Sequence, residues 1–269
     1  MMAKAMNKAQ RGFTLIELMV AMLIGLFVVG GVTKIYMDSR MTDRLRGGMS
    51  EVANNARIGM GILAADIARA GYTESPLQDI ATFLAATDQD ATGSDQIVVV
   101  YESDRDCLGN VTPVAVPQVA ENRYFLQLQD GSTDPTDEHP SSKSVPDANL
   151  WQLYCEGNGS PGNPQPLLSG IESMQFLYGV DEDSDGVADS FGTAEYVTSQ
   201  DAWKQVVAVR IGLLSYSGEK ALQGQGQDDH IYHVLNETVD PADGDKRLRQ
   251  VFEKTVPIRN IIFENMNGG

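Results

Sequence analysis

Residues 13–32 read FTLIELMVAMLIGLFVVGGV, an apolar run in which Glu17 is the one charged side chain. At about 1.5 Å per residue, a helix of about 20 residues spans about 30 Å, the thickness of the hydrocarbon core of a bilayer. A cleaved secretory signal fits poorly, because the run is long and no A-x-A-like cleavage site follows it. A simple anchor leaves Glu17 unexplained, since a carboxylate in hydrocarbon costs a few kcal/mol and usually has a partner.

Charge divides the chain on either side of this run. The 269 residues carry 20 Lys and Arg against 37 Asp and Glu, a net charge of −17, and 42% of them are hydrophobic. Residues 1–12 hold the cations Lys4, Lys8 and Arg11 and no acid, so the remainder has 17 cations against 37 acids. The apolar fraction excludes wholesale disorder, and the acidic surface argues against a nucleic-acid partner, because phosphates repel it. Three parts follow: a basic leader, an apolar segment and an acidic domain.

The junction of leader and apolar run carries a specific motif, RGFTLIE at residues 11–17. It resembles the class III signal of type IV prepilins, which has a basic leader, a Gly, a Phe and then a Glu at the fifth position. The resemblance implies that prepilin peptidase cuts between Gly12 and Phe13 and methylates the new Phe13 amine. It also implies that the apolar segment stays on the mature protein and that Glu17 contributes to subunit assembly. Two charges in a low-dielectric bundle become tolerable when paired, so we expect Glu17 to pair with a neighbouring subunit's terminal amine.

The similarity extends to the PilW family of minor type IV pilins. It is carried by DIARAGY at 66–72, VAVRIGLL at 207–214, RLRQVF at 247–252 and TVPIRN at 255–260. It implies a non-enzymatic subunit of a priming or tip complex, whose partners are other minor pilins and the major pilin. It also implies a single inner-membrane span with a cytoplasmic N-terminus and a periplasmic domain, followed by transfer to the extracellular filament.

Beyond the apolar run, apolar residues continue to recur in steps of three and four, which indicates one face of a helix. They are Met41, Leu45, Met49, Val52, Ala56, Met60, Leu63, Ile67 and Ala70. We therefore predict one helix over about 13–70, with Gly71 at its C-cap. Several glycines weaken it, each by about 1 kcal/mol relative to Ala, and are candidate flexible points; they are Gly30, Gly31, Gly47, Gly48, Gly59 and Gly61.

After Gly71 the pattern changes to short alternating runs, which predict strands. These runs are 96–101, 123–128, 150–155, 172–180, 206–214, 230–235 and 248–258, with loops at 129–149, 157–166 and 216–229. The predicted fold class is α+β and pilin-like, a long N-terminal helix, half transmembrane and half amphipathic, packed on an antiparallel β-sheet domain. The predicted parts are the leader at 1–12, the helix at 13–71 with 13–32 as membrane span and filament core, and a periplasmic β-rich domain at 72–269.

Residues 181–189 read DEDSDGVAD, which matches the start of a calcium-binding EF-hand loop. The predicted ligands are the carboxylates at loop positions 1, 3, 5 and 9 and the carbonyl at position 7, namely Asp181, Asp183, Asp185, Asp189 and Val187. Position 12 is Gly192, so the usual bidentate Glu is missing and we expect weak affinity for Ca²⁺ unless Glu195 or another segment supplies a ligand. The alternative is a solvated acidic turn without a metal.

Cys107 and Cys155 are the two cysteines of the chain. A domain exported across the inner membrane meets an oxidising compartment, where an isolated pair is normally bridged. We therefore predict a disulfide between them, against the alternative of two buried free thiols.

The sequence carries none of the common catalytic motifs, whether a G-x-S-x-G elbow, a Walker-type loop, a C-x-x-C pair or an H-E-x-x-H helix. We therefore expect a structural subunit without a small-molecule substrate. Two alternatives stay open. The nearer is a J-type pseudopilin of type II secretion, which has the same leader and helix. The more distant is a membrane-anchored periplasmic enzyme that uses the calcium loop structurally.

Overall fold

The computed structural model describes residues 13–74, 83–88, 93–115, 117–128, 151–217, 221–222, 226, 228–241 and 244–260. Its first element is the 53-residue helix α1, Leu15–Ile67, which confirms the long N-terminal helix. The chain divides into two compact units, residues 1–44 and 45–269, and the boundary falls within α1. The leader at 1–12 and the predicted loop at 129–149 lie outside the described residues.

The two ends of α1 are formed in different ways. Thr14 precedes the helix, and its Oγ1 accepts a hydrogen bond from the Glu17 N–H at 3.3 Å. A single turn follows Ile67, and Gly71 then adopts φ +74°, a left-handed conformation that favours glycine. The Gly71 N–H donates to the Val100 carbonyl at 3.0 Å. Gly71 thus has the expected conformation, but α1 ends at Ile67, three residues before the predicted end, and Gly71 closes the turn that follows it rather than capping the helix.

Five strands form an antiparallel meander in the order β1-β2-β3-β4-β5. They are β1 Leu84–Thr87, β2 Gln96–Glu102, β3 Val119–Leu128, β4 Trp151–Gly157 and β5 Gln165–Ser169. Burial alternates residue by residue along β2, as expected for a strand with one face against the core.

A second antiparallel sheet has the order β11-β8-β6-β7, and a two-stranded ribbon pairs β9 with β10. The sheet strands are β6 Ile171–Val180, β7 Ser190–Gly192, β8 Val206–Tyr216 and β11 Arg249–Pro257. The ribbon strands are β9 Tyr232–Val234 and β10 Glu237–Val239. Between β7 and β8 lie a short helix, α2 Ala194–Ser199, and a 3₁₀ turn at Trp203–Gln205.

The alternation of Val207, Val209, Ile211 and Leu213 indicates a strand with one buried face, but β8 is buried on both faces. On one face Leu213 lies against Gly59 of α1. On the other face Leu214 packs with Val234 and Val239 of the ribbon. The two-stranded ribbon therefore covers part of the second face of β8.

Two glycines of α1 are sites of close packing. A Cβ at Gly48 would lie 2.7 Å from the Cβ of Ala221, and one at Gly59 would lie 3.3 Å from a methyl group of Leu213. Nothing lies within 4 Å of the corresponding position at Gly30, Gly31, Gly47 or Gly61. Gly48 and Gly59 thus serve the approach of α1 to its own domain, which gives them a structural role that requires no flexibility.

Candidate functional site

The N-terminal part of α1 presents an extended apolar surface. Within the first unit, each large apolar side chain from Phe13 to Met37 is at least 49% exposed, and Phe13 reaches 83%. This part of α1 is long and apolar enough to cross a membrane. A contiguous exposed apolar surface of this kind marks a membrane or protein interaction site.

Glu17 lies in the first turn of this exposed helix. Thr14 and Glu17 stand three residues apart and follow the pattern of a capping box, with Thr14 at the N-cap and Glu17 at the third helical position. A carboxylate there also interacts favourably with the helix dipole. The Thr-x-x-Glu spacing in the sequence is a signal for the start of a helix. The prepilin motif assigns roles to Gly12, Phe13 and Glu17 but none to Thr14, so the capping role of Thr14 was not predicted.

The predicted calcium loop connects β6 to β7. It reverses direction through Ser184 and Gly186, whose φ values are +64° and +86°. Carboxylate oxygens of Asp181, Asp183 and Asp189 lie within 4.8 Å of one another, and Asp181 is the buried member of the three. The loop thus brings together three of the four carboxylates that the spacing predicted.

The fourth carboxylate, Asp185, supports the loop in a different way. Its Oδ1 accepts the Val187 N–H at 2.8 Å, while its own N–H donates to Asp181 and Asp183 at 3.2 Å each. The Gly186 N–H donates to Asp181 Oδ2 at 2.8 Å. Asp185 is therefore outside the convergent group and closes the turn that forms it.

The donor set of this loop fits a hard cation. The Asp183 carboxylate accepts the Asp185 N–H, which lowers its pKa, but desolvation and the charges of Asp185, Asp189 and Asp181 raise it above the ordinary aspartate value. A bound cation would relieve this repulsion. Glu195, the proposed substitute for the missing twelfth ligand, is not part of the convergent group; it lines a polar cavity beside α2.

Cys107 and Cys155 form a disulfide, as predicted. It links the turn after Arg105 to strand β4 across 48 residues of chain. On the loop-entropy account, closing a loop of this length contributes about 4 kcal/mol to the stability of the fold.

Known protein families and solved structures match this chain. A family model described as Type IV Pilus-assembly protein W matches residues 129–260, and a model of the Prokaryotic N-terminal methylation motif matches residues 7–33. The chain belongs to the PilW family of type IV pilins. No curated protein matches this pilin. A type IV-like pilin from Thermus thermophilus is similar at 12% identity and a TM-score of 0.41, covering 78% of this chain and 97% of that chain.

The methylation motif of this pilin spans both predicted processing residues. Gly12 lies outside the described residues, and Phe13 lies just before α1 with its side chain 83% exposed. The processing itself stays a prediction.

Inside the region that matches the PilW family, a buried charge cluster holds the second sheet. The Arg249 guanidinium, fully buried, donates to both oxygens of Glu172 at 2.5 and 3.1 Å. It also donates to Asp228 at 3.1 Å and to Asp245 at 2.7 Å. Burial lowers the pKa of Arg249, but the charges of Glu172 and Asp245 raise it by more, so Arg249 stays charged. The sequence drew attention to this segment by resemblance alone and gave no sign of its partners.

A second buried network joins α1 to the first sheet. Asp66, in the last turn of α1, accepts hydrogen bonds from the hydroxyls of Tyr101 at 3.2 Å and Tyr124 at 2.5 Å. It also accepts one from the amide of Asn122 at 2.8 Å, and Asn122 in turn accepts the Cys107 N–H. Burial, and then the charge of Asp66, raises the pKa of Tyr124. This network is structural, and it orients the end of the helix over β2 and β3.

Proposed function

We propose that this protein is a minor pilin, a subunit of the priming or tip complex that initiates assembly of a type IV filament. The precursor is held in the inner membrane by α1, is cut by prepilin peptidase between Gly12 and Phe13, and is methylated on the Phe13 amine. The mature subunit then leaves the membrane and joins other minor pilins and the major pilin. Its role is that of a structural subunit.

The exposed apolar part of α1 is the observation that supports this proposal. Burying it requires either lipid or other apolar helices, and a subunit that moves from membrane to filament exchanges one for the other. The free-energy change of this transfer is then small, because the apolar side chains are surrounded by apolar groups in both states. The basic leader at residues 1–12 agrees with a cytoplasmic N-terminus, since positive charge is retained on that side.

In this proposal, Glu17 sets the position of α1 along the neighbouring helices of the filament. It is the one charge within residues 13–32, so among packed helices it has a single favourable position, opposite a positive charge. The methylated Phe13 amine of an adjacent subunit provides that charge. A subunit with this carboxylate is able to dock beneath another, whereas a strictly terminal subunit has no use for it.

Mass spectrometry of sheared and crosslinked filaments tests the proposal. We expect peptides of this chain in the filament fraction, crosslinked to other pilins, with a mature N-terminal peptide that starts at methylated Phe13. The Gly12→Asp variant is the control, because a bulky charged residue before the scissile bond prevents cleavage and should keep the chain in the membrane. Wild-type chain found in membranes alone, or in filaments of a secretion machine, would contradict the proposal.

We also propose that the loop at residues 181–189 binds Ca²⁺. Asp181, Asp183 and Asp189 supply the carboxylates, and the carbonyl of Val187 is the fourth protein oxygen that the loop spacing provides. With the twelfth-position Glu missing, water completes the coordination and the affinity is modest. Bound Ca²⁺ would hold together the turn between β6 and β7.

Calorimetry of the full-length pilin in detergent micelles checks this site. At a Ca²⁺ concentration about 100 times the Kd, we expect about 2.7 kcal/mol of added stability and a rise in Tm of about 5–10 °C. Asp181→Asn should remove both the binding heat and the rise in Tm. Asp240→Asn, an exposed aspartate outside the loop, should leave them unchanged. An unchanged Tm and no heat in the wild type would show that the loop is a solvated turn.

A further inference from the structure

A polar cavity of about 200 Å³ lies in the second unit, where α2, β6 and the β9–β10 turn meet the start of β2. Its lining residues are Asp88, Gly93, Asp95, Gln175, Thr193, Glu195, Asn236 and Glu237. None of these belongs to the exposed part of α1 or to the calcium loop. The cavity is therefore a feature that the assembly role leaves unexplained.

Four carboxylates and no cation line this cavity among the described residues. Asp95 is buried, at 6% exposure, whereas Glu195 and Glu237 are exposed. The negative charges of these carboxylates also affect a buried side chain of the protein. Burial first, and then the charges of Asp95 and Asp88, raises the pKa of Tyr178 well above its ordinary value. The cavity therefore has a negative potential that favours a positively charged occupant.

Gln175 supplies an independent sign that a hydrogen-bond donor belongs here. This glutamine is fully buried, and its Nε2 donates to the Gly93 carbonyl and to Ser173 Oγ. That arrangement fixes which end of the amide is the oxygen. The Oε1 atom has no hydrogen-bond partner in the described structure. A buried acceptor without a donor is costly, so an occupant with N–H groups would stabilise the site.

The acceptors are arranged for an extended donor rather than a metal ion. The cavity carboxylates do not form a group whose oxygens converge within 4.8 Å, as those of the calcium loop do. Both oxygens of Asp88 already accept backbone N–H groups, from Ala194 at 3.2 Å and Glu195 at 2.9 Å. Asp95 Oδ2 accepts the Phe176 N–H at 2.8 Å. Because the acceptor oxygens are spread over the cavity, they suit a ligand that carries several N–H donors in one plane.

We propose that this cavity receives the guanidinium group of an arginine side chain from a partner protein. Arginine is planar, stays charged, carries five N–H donors and is weakly hydrated, which makes it suited to an acidic cavity at an interface. The Gln175 oxygen and the Asp95 carboxylate meet the inserted group, and the exposed Glu195 and Glu237 attract it. The proposal concerns the second unit alone and stands whether or not Glu17 directs filament assembly.

Titration of the ¹⁵N-labelled full-length pilin in micelles tests this proposal. The probe is acetyl-Gly-Arg-Gly-amide, and the reporter is the backbone amide resonance of Gly93. We expect a saturable shift with a millimolar Kd, and no shift with the peptide in which citrulline replaces arginine. Gln175→Met should raise the Kd about tenfold, since it removes an acceptor to a charged donor. Glu195→Gln and Glu237→Gln should each raise it about two- to fivefold.

Several results would overturn the assignment. Equal shifts with the arginine and citrulline peptides would show that charge is irrelevant. A shift with Ca²⁺ but none with the peptide would mark a metal site, and a shift with agmatine but none with the peptide would indicate a small-molecule amine. The matched control is Glu253→Gln, an exposed acid on β11 outside the cavity, which should leave the Kd unchanged. If Glu253→Gln weakened binding as much as Glu237→Gln, the effect would be one of net charge alone.

Discussion

Replacing Glu17 with glutamine will leave the precursor cleaved and resident in the membrane, but it will lower the amount of this pilin in filaments at least tenfold. Glutamine keeps the shape and the helix-forming tendency of glutamate and removes the charge. The loss follows because a neighbouring Phe13 ammonium then stays unpaired in a low-dielectric bundle, and an unpaired buried charge costs about 3–5 kcal/mol. A factor of ten corresponds to about 1.4 kcal/mol, so a tenfold loss is a lower bound.

Two control variants separate pairing from helix capping. Thr14→Ala removes the hydroxyl that accepts the Glu17 N–H, which costs about 1 kcal/mol of local helix stability and keeps the charge. We expect it to reduce incorporation slightly. Asp38→Asn removes a carboxylate from an exposed position of α1 beyond residues 13–32 and should leave incorporation unchanged.

The measurement is a quantitative immunoblot of sheared filaments, normalised to the membrane fraction, with mass spectrometry of the Phe13 peptide to establish cleavage. Wild-type incorporation of the Glu17→Gln chain would refute the pairing role. If Thr14→Ala matched Glu17→Gln in its defect, capping of α1 rather than subunit pairing would be the function of this carboxylate.

The sequence predicted best those features that depend on neighbouring residues. The helix follows from the local period of three and four, and the turn after it follows from Gly71, which adopts the expected positive φ, although α1 itself ends at Ile67. The calcium loop follows from spacing within nine residues, and three of its four carboxylates do converge. The disulfide was predictable because Cys107 and Cys155 are the two cysteines and leave no other pairing.

Features that depend on distant segments were not predictable in the same way. The second buried face of β8 is covered in part by the ribbon, and periodicity along β8 carries no information about it. Short elements such as β1, β10 and α2 contain too few residues for a period to show. The partners of Arg249 illustrate the point, since Glu172 lies 77 residues away and nothing in either local sequence links them.

Arg249→Met will lower the free energy of unfolding of the second unit by about 3–5 kcal/mol at neutral pH. Methionine fills much of the space of the arginine stem but leaves Glu172, Asp228 and Asp245 without their common guanidinium. A free energy of unfolding is typically 5–15 kcal/mol, so this change removes a large part of it. Arg249→Lys should cost less, because it keeps the charge and loses the two-pronged contact with Glu172.

Urea unfolding followed by tryptophan fluorescence provides the measurement. Both tryptophans, Trp151 and Trp203, lie in the second unit, so the signal reports this unit in the full-length chain. The matched control is Arg123→Met, which breaks an ion pair with Glu156 at a partly exposed site. Exposed pairs contribute about 0–1 kcal/mol, so this control should shift the transition little. Equal losses in the two variants would show that burial of the Arg249 cluster adds nothing to its contribution.

The pH dependence of the Arg249→Met effect provides a second, independent check. Burial raises the pKa of Asp245, but the charge and hydrogen bond of Arg249, together with the N–H and charge of Arg247, lower it by more, so the folded-state pKa lies below the ordinary value of about 3.9. In the wild type, ionised Asp245 therefore stabilises the fold at pH values above its unfolded-state pKa, and this stabilisation is lost as the pH falls through its folded-state pKa. Without Arg249, the Arg247 N–H and charge still oppose the effect of burial, and the folded pKa of Asp245 rises above its wild-type value. The variant therefore loses less stability than the wild type when Asp245 is protonated, and the difference in stability between the two proteins will shrink as the pH falls from 7 toward 3. A difference that stays constant over this range would show that the loss arises from packing of the arginine stem rather than from uncompensated charge.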